Sequence, residues 1–370
     1  MMSRDSDAAP YVRLLKSQFL ARLDGCLEAS DAATLRQGVE ALRDWVELVE
    51  VHYADRTPGL LVEAASQDPV LSLRRDVLLE EIEQILTART VRRAKYYLNR
   101  MRKAATEVRT SAINDINLNR WKEYDEIQTD SLWVVSRRDT SGAHEAWYWG
   151  NFIPQIPRQM MLRYTKVGDW VLDPFAGSGT TLIECRRLGR NGLGVELNPE
   201  VAQRAREVLA QEPNPQSVTT EIVTGDSRTI DFKQLLADLG IERVQFLMLH
   251  PPYHDIIKFS AVEEDLSNAP TVGSFKEQFC DIVDHAAEVL APERFLAVVI
   301  GDKYQDGEWV PLGFEVMDSI RDRGFTLKSI VVKNFDGTRA KREQRALWRF
   351  RALAGGFYVF KHEYIFIFQA

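Results

Sequence analysis

Two stretches of this chain carry residue types at spacings that could do chemistry. Residues 171–181 read Val-Leu-Asp-Pro-Phe-Ala-Gly-Ser-Gly-Thr-Thr: an apolar strand ending at Asp173, a turn with Gly177 and Gly179, and the opening of a helix. The glycines remove side chains that would keep a ligand from the backbone, and Thr180 and Thr181 can cap the helix carrying Leu182 and Cys185. This is the build of a nucleotide-type site at the C-terminal end of a first strand. The turn lacks the lysine of a phosphate-cradling loop and the spacing of the dinucleotide fingerprint, so its ligand need not carry a phosphate. Two acids follow at strand tips. Glu196 ends a second strand near the spacing at which doubly wound folds place the acid that takes both ribose hydroxyls, and Asp226 ends a third. A fourth strand, 244–249, delivers the other stretch, His250-Pro251-Pro252-Tyr253. Strands one and four flank the reversal of strand order in an open doubly wound sheet, so the two stretches are expected to meet across one crevice.

The sequence Asp173-Pro174-Phe175-Ala176-Gly177-Ser178-Gly179-Thr180-Thr181, followed by His250-Pro251-Pro252-Tyr253, resembles the DNA amino-methyltransferases, the N6-adenine and N4-cytosine enzymes. The resemblance implies an α/β fold, the Rossmann-like class I methyltransferase sheet with an antiparallel last strand pair, and S-adenosylmethionine as cofactor. Cofactor contacts are then expected from Asp173, Pro174, Phe175, Gly177, Gly179, Thr180, Glu196 and Asp226, with Phe152 and Pro154 from the segment before the turn. In that family an acid or polar group at the position of Asp226 reaches the adenine amino group.

The resemblance makes His250, Pro251, Pro252 and Tyr253 the catalytic group. An exocyclic amino nitrogen is a poor nucleophile because its lone pair is delocalised into the ring. In the family, the first motif side chain and the next backbone carbonyl, here those of His250 and Pro251, accept hydrogen bonds from its two N–H groups and so aim the lone pair at the methyl group. The prolines stiffen that backbone, and Tyr253 offers a face to an extruded base. Transfer is then a direct displacement in which positioning is the main contribution. The chain has no Pro-Cys pair, which argues against the carbon-5 cytosine enzymes. His250 departs from the usual Asp, Asn or Ser. A neutral imidazole accepts one hydrogen bond through its unprotonated nitrogen, so it fills this role in only one tautomer, and such an acceptor leans toward cytosine N4 over adenine N6. Asp255 and His254 lie just beyond, either to tune His250 or to begin the following loop. Two other readings stay open: an RNA methyltransferase acting on guanine N2 of tRNA, and a non-catalytic cofactor-binding subunit that recruits a partner.

The elements that must position these groups fill residues 121–370, and residues 1–120 read as a helical N-terminal domain without a strand, for target recognition or oligomerisation. Apolar faces recur at 11–27 and 33–51, and a third helical pattern runs over 71–109. That pattern turns basic at Arg89, Arg92, Arg93, Lys95, Arg100, Arg102 and Lys103, with Tyr96 and Tyr97 interleaved: either a phosphate-tracking face or a solvated face pairing with nearby acids. The linking stretch 114–150 is rich in aromatics, which serve as a wall beside a ligand or as core and interface anchors. Strands at 326–332 and 363–368 form the closing pair. The loop between them carries Arg339, Lys341, Arg342, Arg345, Arg349 and Arg351 around Trp348 and Phe350, and reads as a nucleic-acid contact. Too few residues separate the two motifs for a recognition domain, so recognition falls to the N-terminal region, to this loop or to a partner.

The 370 residues suffice for two domains, with 45% hydrophobic and 27% charged residues. No apolar run reaches the roughly 20 residues of a membrane span, and the polar N-terminus points to a cytoplasmic protein. Cys26, Cys185 and Cys280 are too scattered for a disulfide framework or a metal pairing and read as small buried hydrophobes. A net charge of -7 means that DNA, or alternatively RNA, is met through local basic patches.

Overall fold

The computed structural model describes residues 9–53, 69–334 and 345–370, in two compact units, Met1–Ile127 and Gln128–Ala370. The first unit contains β1 (Pro10–Leu15), α1 (Lys16–Glu28), α2 (Ala32–Leu48), β2 (Val51–Tyr53), β3 (Val70–Arg74), α3 (Arg75–Leu86) and α4 (Val91–Thr106). The expectation of a strandless N-terminal domain is therefore corrected. β1 lies between β2 and β3 in an antiparallel sheet, with Val12 opposite both Val51 and Leu73. Val12, Leu15 and Phe19 satisfy helical spacing by coincidence. The alternation that matters is Val12 and Leu14 buried against Arg13 and Leu15 exposed, and the partner strands are far away in sequence. The third helical pattern likewise divides into β3, α3 and α4. Its second break is at Thr90, whose hydroxyl accepts from the Arg93 amide at 3.2 Å and starts α4. Helices and sheet enclose one apolar cluster that includes Val12, Phe19, Leu42, Ile82 and Leu98.

The second unit runs β4 (Leu132–Trp133), α5 (Gln155–Tyr164), β5 (Trp170–Asp173), α6 (Thr180–Leu188), β6 (Asn191–Glu196), α7 (Pro199–Gln211), β7 (Thr220–Thr224), α8 (Phe232–Asp238), β8 (Val244–Leu249), α9 (Val272–Ala287), β9 (Leu290–Ile300), β10 (Lys303–Gln305), β11 (Glu308–Val310), α10 (Leu312–Arg321), β12 (Thr326–Asn334), α11 (Arg345–Gly355) and β13 (His362–Gln369). Eight strands form one sheet in the order β4-β12-β13-β9-β8-β5-β6-β7. β5 to β9 pair in parallel, and β13 inserts antiparallel between β9 and β12. This is the doubly wound α/β sheet with an antiparallel last pair that the resemblance implies.

Adjacent residues on β7 show that helices cover both faces. Ile222 packs with Leu182 of α6 and Ala205 of α7, whereas Val223 packs with the cluster containing Phe232, Phe279 and Val316. Strands covered on both sides need continuous apolar runs, which is what β8 and β9 supply. The hairpin β10–β11 is an addition to the expected elements, although Asp306-Gly307 at its tip, both at positive φ, is a hairpin signal. α11 also corrects an expected loop; its run Arg-Ala-Leu-Trp-Arg-Phe-Arg-Ala-Leu-Ala is rich in helix formers. Among the described residues no helix is long and apolar enough to cross a membrane.

The amphipathic reading of α4 is tested by two substitutions. Leu98→Ala, at a fully buried position, is expected to cost about 2–5 kcal/mol in denaturant unfolding. Tyr96→Ala, at a position 56% exposed, should stay within about 0.5 kcal/mol.

Candidate active site

Strand order reverses at β5. From there the chain moves outward through β6 and β7 on one side, then returns to lay β8 against the other. The C-terminal ends of β5 and β8 therefore open on a single crevice, and the two motifs face each other across it.

At the end of β5, Asp173 is buried and organises the turn. One carboxylate oxygen accepts from the Phe175 amide at 2.9 Å and the other from the Thr181 hydroxyl at 2.5 Å. Burial, with the charge of Glu196 adding to it, pushes this carboxyl up to about 7. Gly177 (φ +49°) turns its amide onto Glu196 Oε2 at 2.9 Å, while Glu196 Oε1 accepts from the Asn198 amide at 2.9 Å. Burial raises the Glu196 carboxyl as well. The expected threonine cap is corrected. Gly179, at φ +79°, is the N-cap of α6, Thr181 is committed to Asp173, and Thr180 meets the Ser178 hydroxyl at 3.1 Å.

One cavity brings together Phe152, Pro174, Phe175, Gly177, Thr180, Glu196, Asp226, His250, Pro251 and Pro252. Tyr148 and Phe259 line it too, their rings 5.6 Å apart, so part of the aromatic linking stretch does border the site. Trp133 is instead core, and Trp121 and Trp149 are exposed. Asp173, Gly179, Pro154 and Tyr253 are not among the lining residues: Asp173 and Gly179 shape the turn, and Pro154 starts α5. Asp226 lines the cavity while its carboxylate holds Arg228 at 2.9 Å.

His250 is half-buried, with the Phe152 ring edge-on at 4.7 Å. Burial, aided by the positive charge of Lys333, holds its imidazole down to about 3, so it is neutral. Its Nε2 is 3.4 Å from the Tyr253 hydroxyl, which donates to Glu363 Oε2 at 2.8 Å. Glu363 Oε1 accepts from Lys333 Nζ at 2.9 Å, both side chains being buried. Burial raises the Tyr253 phenol well above its ordinary range, and Glu363 adds to the effect. The Tyr253 ring lies against Gly301, where a Cβ would come within 2.9 Å of it. Lys333 and Glu363 are additions to the residues singled out from the sequence.

His254 and Asp255 do not reach His250. His254, at φ +53°, is pinned between the Ala269 carbonyl at 2.8 Å and Lys303 Nζ at 2.6 Å, and Lys303 also holds Asp255 at 2.6 Å. They fix the start of the following loop, which answers the alternative posed for them.

The basic segments divide. Arg100 pairs with Glu81 at 2.8 Å and Arg102 with Asp24 at 2.7 Å, as a solvated, paired face requires. Arg89, Arg92 and Arg93 instead line a cleft of the first unit with Tyr96 and Tyr97, and among the described residues no carboxylate lines it. Arg93 Nε donates to the Tyr97 hydroxyl at 2.9 Å, and its guanidinium lies 4.7 Å and 5.1 Å from the two ring centroids. In the other basic segment, Arg339, Lys341 and Arg342 lie outside the described residues, as does the side chain of Arg345. Arg349 and Arg351 are exposed on α11, with Arg351 5.3 Å from the Trp348 ring. Cys26, Cys185 and Cys280 are buried free thiols.

Residues 63–207 match the family model described as DNA methylase. Among curated proteins, the chain is 36% identical over 91 residues to the Type II methyltransferase M.MjaII of Methanocaldococcus jannaschii, a match covering 25% of this chain and 17% of that protein. It is 43% identical over 82 residues to the Type II methyltransferase M.Cfr9I of Citrobacter freundii, covering 22% and 26%. It is 30% identical over 125 residues to the tRNA (guanine(10)-N2)-dimethyltransferase of Methanocaldococcus jannaschii, covering 33% and 35%. The chain thus matches only a minor part of each relative's length.

The buried Asp173 carboxyl gives a pH test. Its pKa is raised in the folded chain, so between about pH 4, where an unfolded aspartate titrates, and about 7 the folded state binds the extra proton. Stability contributed by this group is full below that window and falls as pH rises through it. Asp173→Asn should remove the fall, read as the denaturation midpoints of both proteins without cofactor at pH 5 and 8.

Proposed function

We propose that this chain is a DNA methylase of the family whose model matches residues 63–207, and that it transfers a methyl group from S-adenosylmethionine to an exocyclic amino group of a base in DNA. The observation that supports the reading most is the shared cavity at the reversal of strand order, with the glycine turn on one side and His250-Pro251-Pro252 on the other.

The residues present fit the cofactor. Gly177 leaves bare backbone at the end of β5, Phe175 and Phe152 add apolar surface, and Glu196 and Asp226 present carboxylates to a ligand with hydroxyls, an amino-purine and a cationic centre. When bound, the cofactor supplies an electrophilic methyl group on a sulfonium. Glu196, locked by the amides of Gly177 and Asn198, takes the ribose hydroxyls, and Asp226 takes the purine amino group. Pro174 and Thr180 complete this side, with Asp173, Gly179 and Pro154 holding its shape from behind.

On the facing side His250 and the Pro251 carbonyl accept hydrogen bonds from the two N–H groups of the target amino group. His250 serves because burial keeps it neutral. The base reaches them by leaving its stack. Tyr253 braces His250 from behind, and a neutral acceptor in place of a carboxylate favours cytosine N4 over adenine N6. The duplex backbone is met by the cleft of Arg89, Arg92 and Arg93, with Arg349 and Arg351 as a further patch. The tRNA-directed relative favours one second reading, guanine N2 in RNA.

The test is to supply labelled S-adenosylmethionine with unmethylated DNA and with bulk tRNA in parallel, and to identify the labelled nucleoside by mass spectrometry. N4-methylcytosine in DNA is the expected product. N6-methyladenine would keep the reaction and change the base, and label in tRNA alone would overturn the DNA reading. His250→Ala should lower transfer on the order of 10²–10³-fold, the scale of losing one preorganised hydrogen bond to the reacting centre, while cofactor still binds. Undiminished transfer in this variant would take the acceptor role away from His250, and absence of transfer by the wild-type chain, with cofactor bound, would make the site a recruiting one. Replacing Arg89, Arg92 and Arg93 together by Ala should lessen the slope of log K for DNA against log salt by about 2.7, at roughly 0.9 for each phosphate no longer neutralised.

A further inference from the structure

We propose that Lys333, Glu363 and Tyr253 are positioning residues that set the tautomer of His250, so that Nε2 carries the proton and Nδ1 is the bare acceptor offered to the target amino group. The inference rests on the methyl-transfer reading for its purpose but on hydrogen-bond donor counting for its content.

Lys333 and Glu363 are direct partners in the β12–β13 register. An ammonium only donates, so Glu363 Oε1, 2.9 Å from Lys333 Nζ in a buried ion pair, is an acceptor. An ionised carboxylate has no proton to give. The 2.8 Å contact between Glu363 Oε2 and the Tyr253 hydroxyl therefore uses the phenol's single proton. What the phenol oxygen turns toward His250 Nε2, 3.4 Å away, is a lone pair. A proton on Nε2 makes this a hydrogen bond, long as it is, whereas a bare Nε2 would set two lone pairs against each other. The second proton is excluded, since burial and Lys333 keep the ring neutral. His250 lines the cavity, and with Nε2 turned to Tyr253 the nitrogen left to serve it is Nδ1. Gly301 and Phe152 hold the two rings in this relation: a side chain at Gly301 would displace the Tyr253 ring, and the Phe152 ring stands edge-on to the imidazole.

The polarity of this chain of donors can be reversed by one nearly isosteric change. In Glu363→Gln, Lys333 still demands an acceptor, so the amide oxygen turns to it and the amide nitrogen turns to Tyr253. The phenol then accepts from the amide and gives its own proton to His250 Nε2. His250 becomes the Nδ1–H tautomer and points a donor at an amino group that needs an acceptor.

The experiment is 15N NMR of the histidine rings in the full chain, with the His250 signals assigned by their loss in His250→Ala, alongside methyl-transfer kinetics. The wild type should show Nε2 protonated and Nδ1 bare, and Glu363→Gln the reverse. The kcat of that variant should fall on the order of 10²-fold, with KM for DNA and cofactor affinity unchanged. Tyr253→Phe leaves the Lys333–Glu363 pair intact, so it reads the same relay without disturbing a buried charge. It should give a mixture of the two ring forms, and adding Glu363→Gln to it should change kcat no further. A wild-type ring protonated at Nδ1, or a ring form that Glu363→Gln leaves unchanged, would overturn the proposal. A correct ring form that switches as described, in a protein that methylates no nucleic acid, would uphold the relay and defeat the methyl-transfer reading instead.

Discussion

The reversal of strand order at β5 is the constraint that shapes everything else in the second unit. Because β6 and β8 both lie against β5, loops from distant parts of the sequence leave the sheet beside one another, and no helix can cover the gap between them. The glycine turn uses that gap to bring backbone to a ligand. The Pro-Pro segment uses it to present acceptors that neither move nor titrate in the neutral range. Each motif would be inert without the other across the crevice.

A second constraint is electrostatic. The cavity wall contains the carboxylates of Glu196, Asp226, Glu264 and Asp265 together with a neutral ring at His250, and this acidic lining suits a cationic donor. Among the described residues Lys303 and Lys333 are buried, and both are paired. Lys303 fixes His254 and Asp255 at the start of the loop, and Lys333 is matched by Glu363 beneath Tyr253. Buried ion pairs add little net stability compared with apolar packing, so their presence here is best understood through the geometry they impose.

What the sequence reveals of this depends on how local each signal is. β5, its glycine turn and β8 are readable because a short apolar run and the residues that end it carry the information themselves. Glu196 and Asp226 are readable because strand tips recur at regular spacing. β1 and β3 escape notice because a strand of five or six residues with mixed periodicity declares itself only when its partner, tens of residues away, pairs with it. Lys333 and Glu363 escape for the same reason, since a lysine in one strand and a glutamate in another mean something only once register brings them together. The division of the basic residues on α4 into paired and cleft-lining sets likewise depends on where the acids of α1 and α3 fall.

Cofactor and target base are held to meet between Gly177 and His250. A structure of the chain with S-adenosylhomocysteine and a duplex containing the methylated base type puts this to the test. The cofactor sulfur is expected in the cavity, and the base amino nitrogen within about 3 Å of both His250 Nδ1 and the Pro251 carbonyl oxygen. A base bound against another surface, or a cofactor seated away from Glu196, would contradict it.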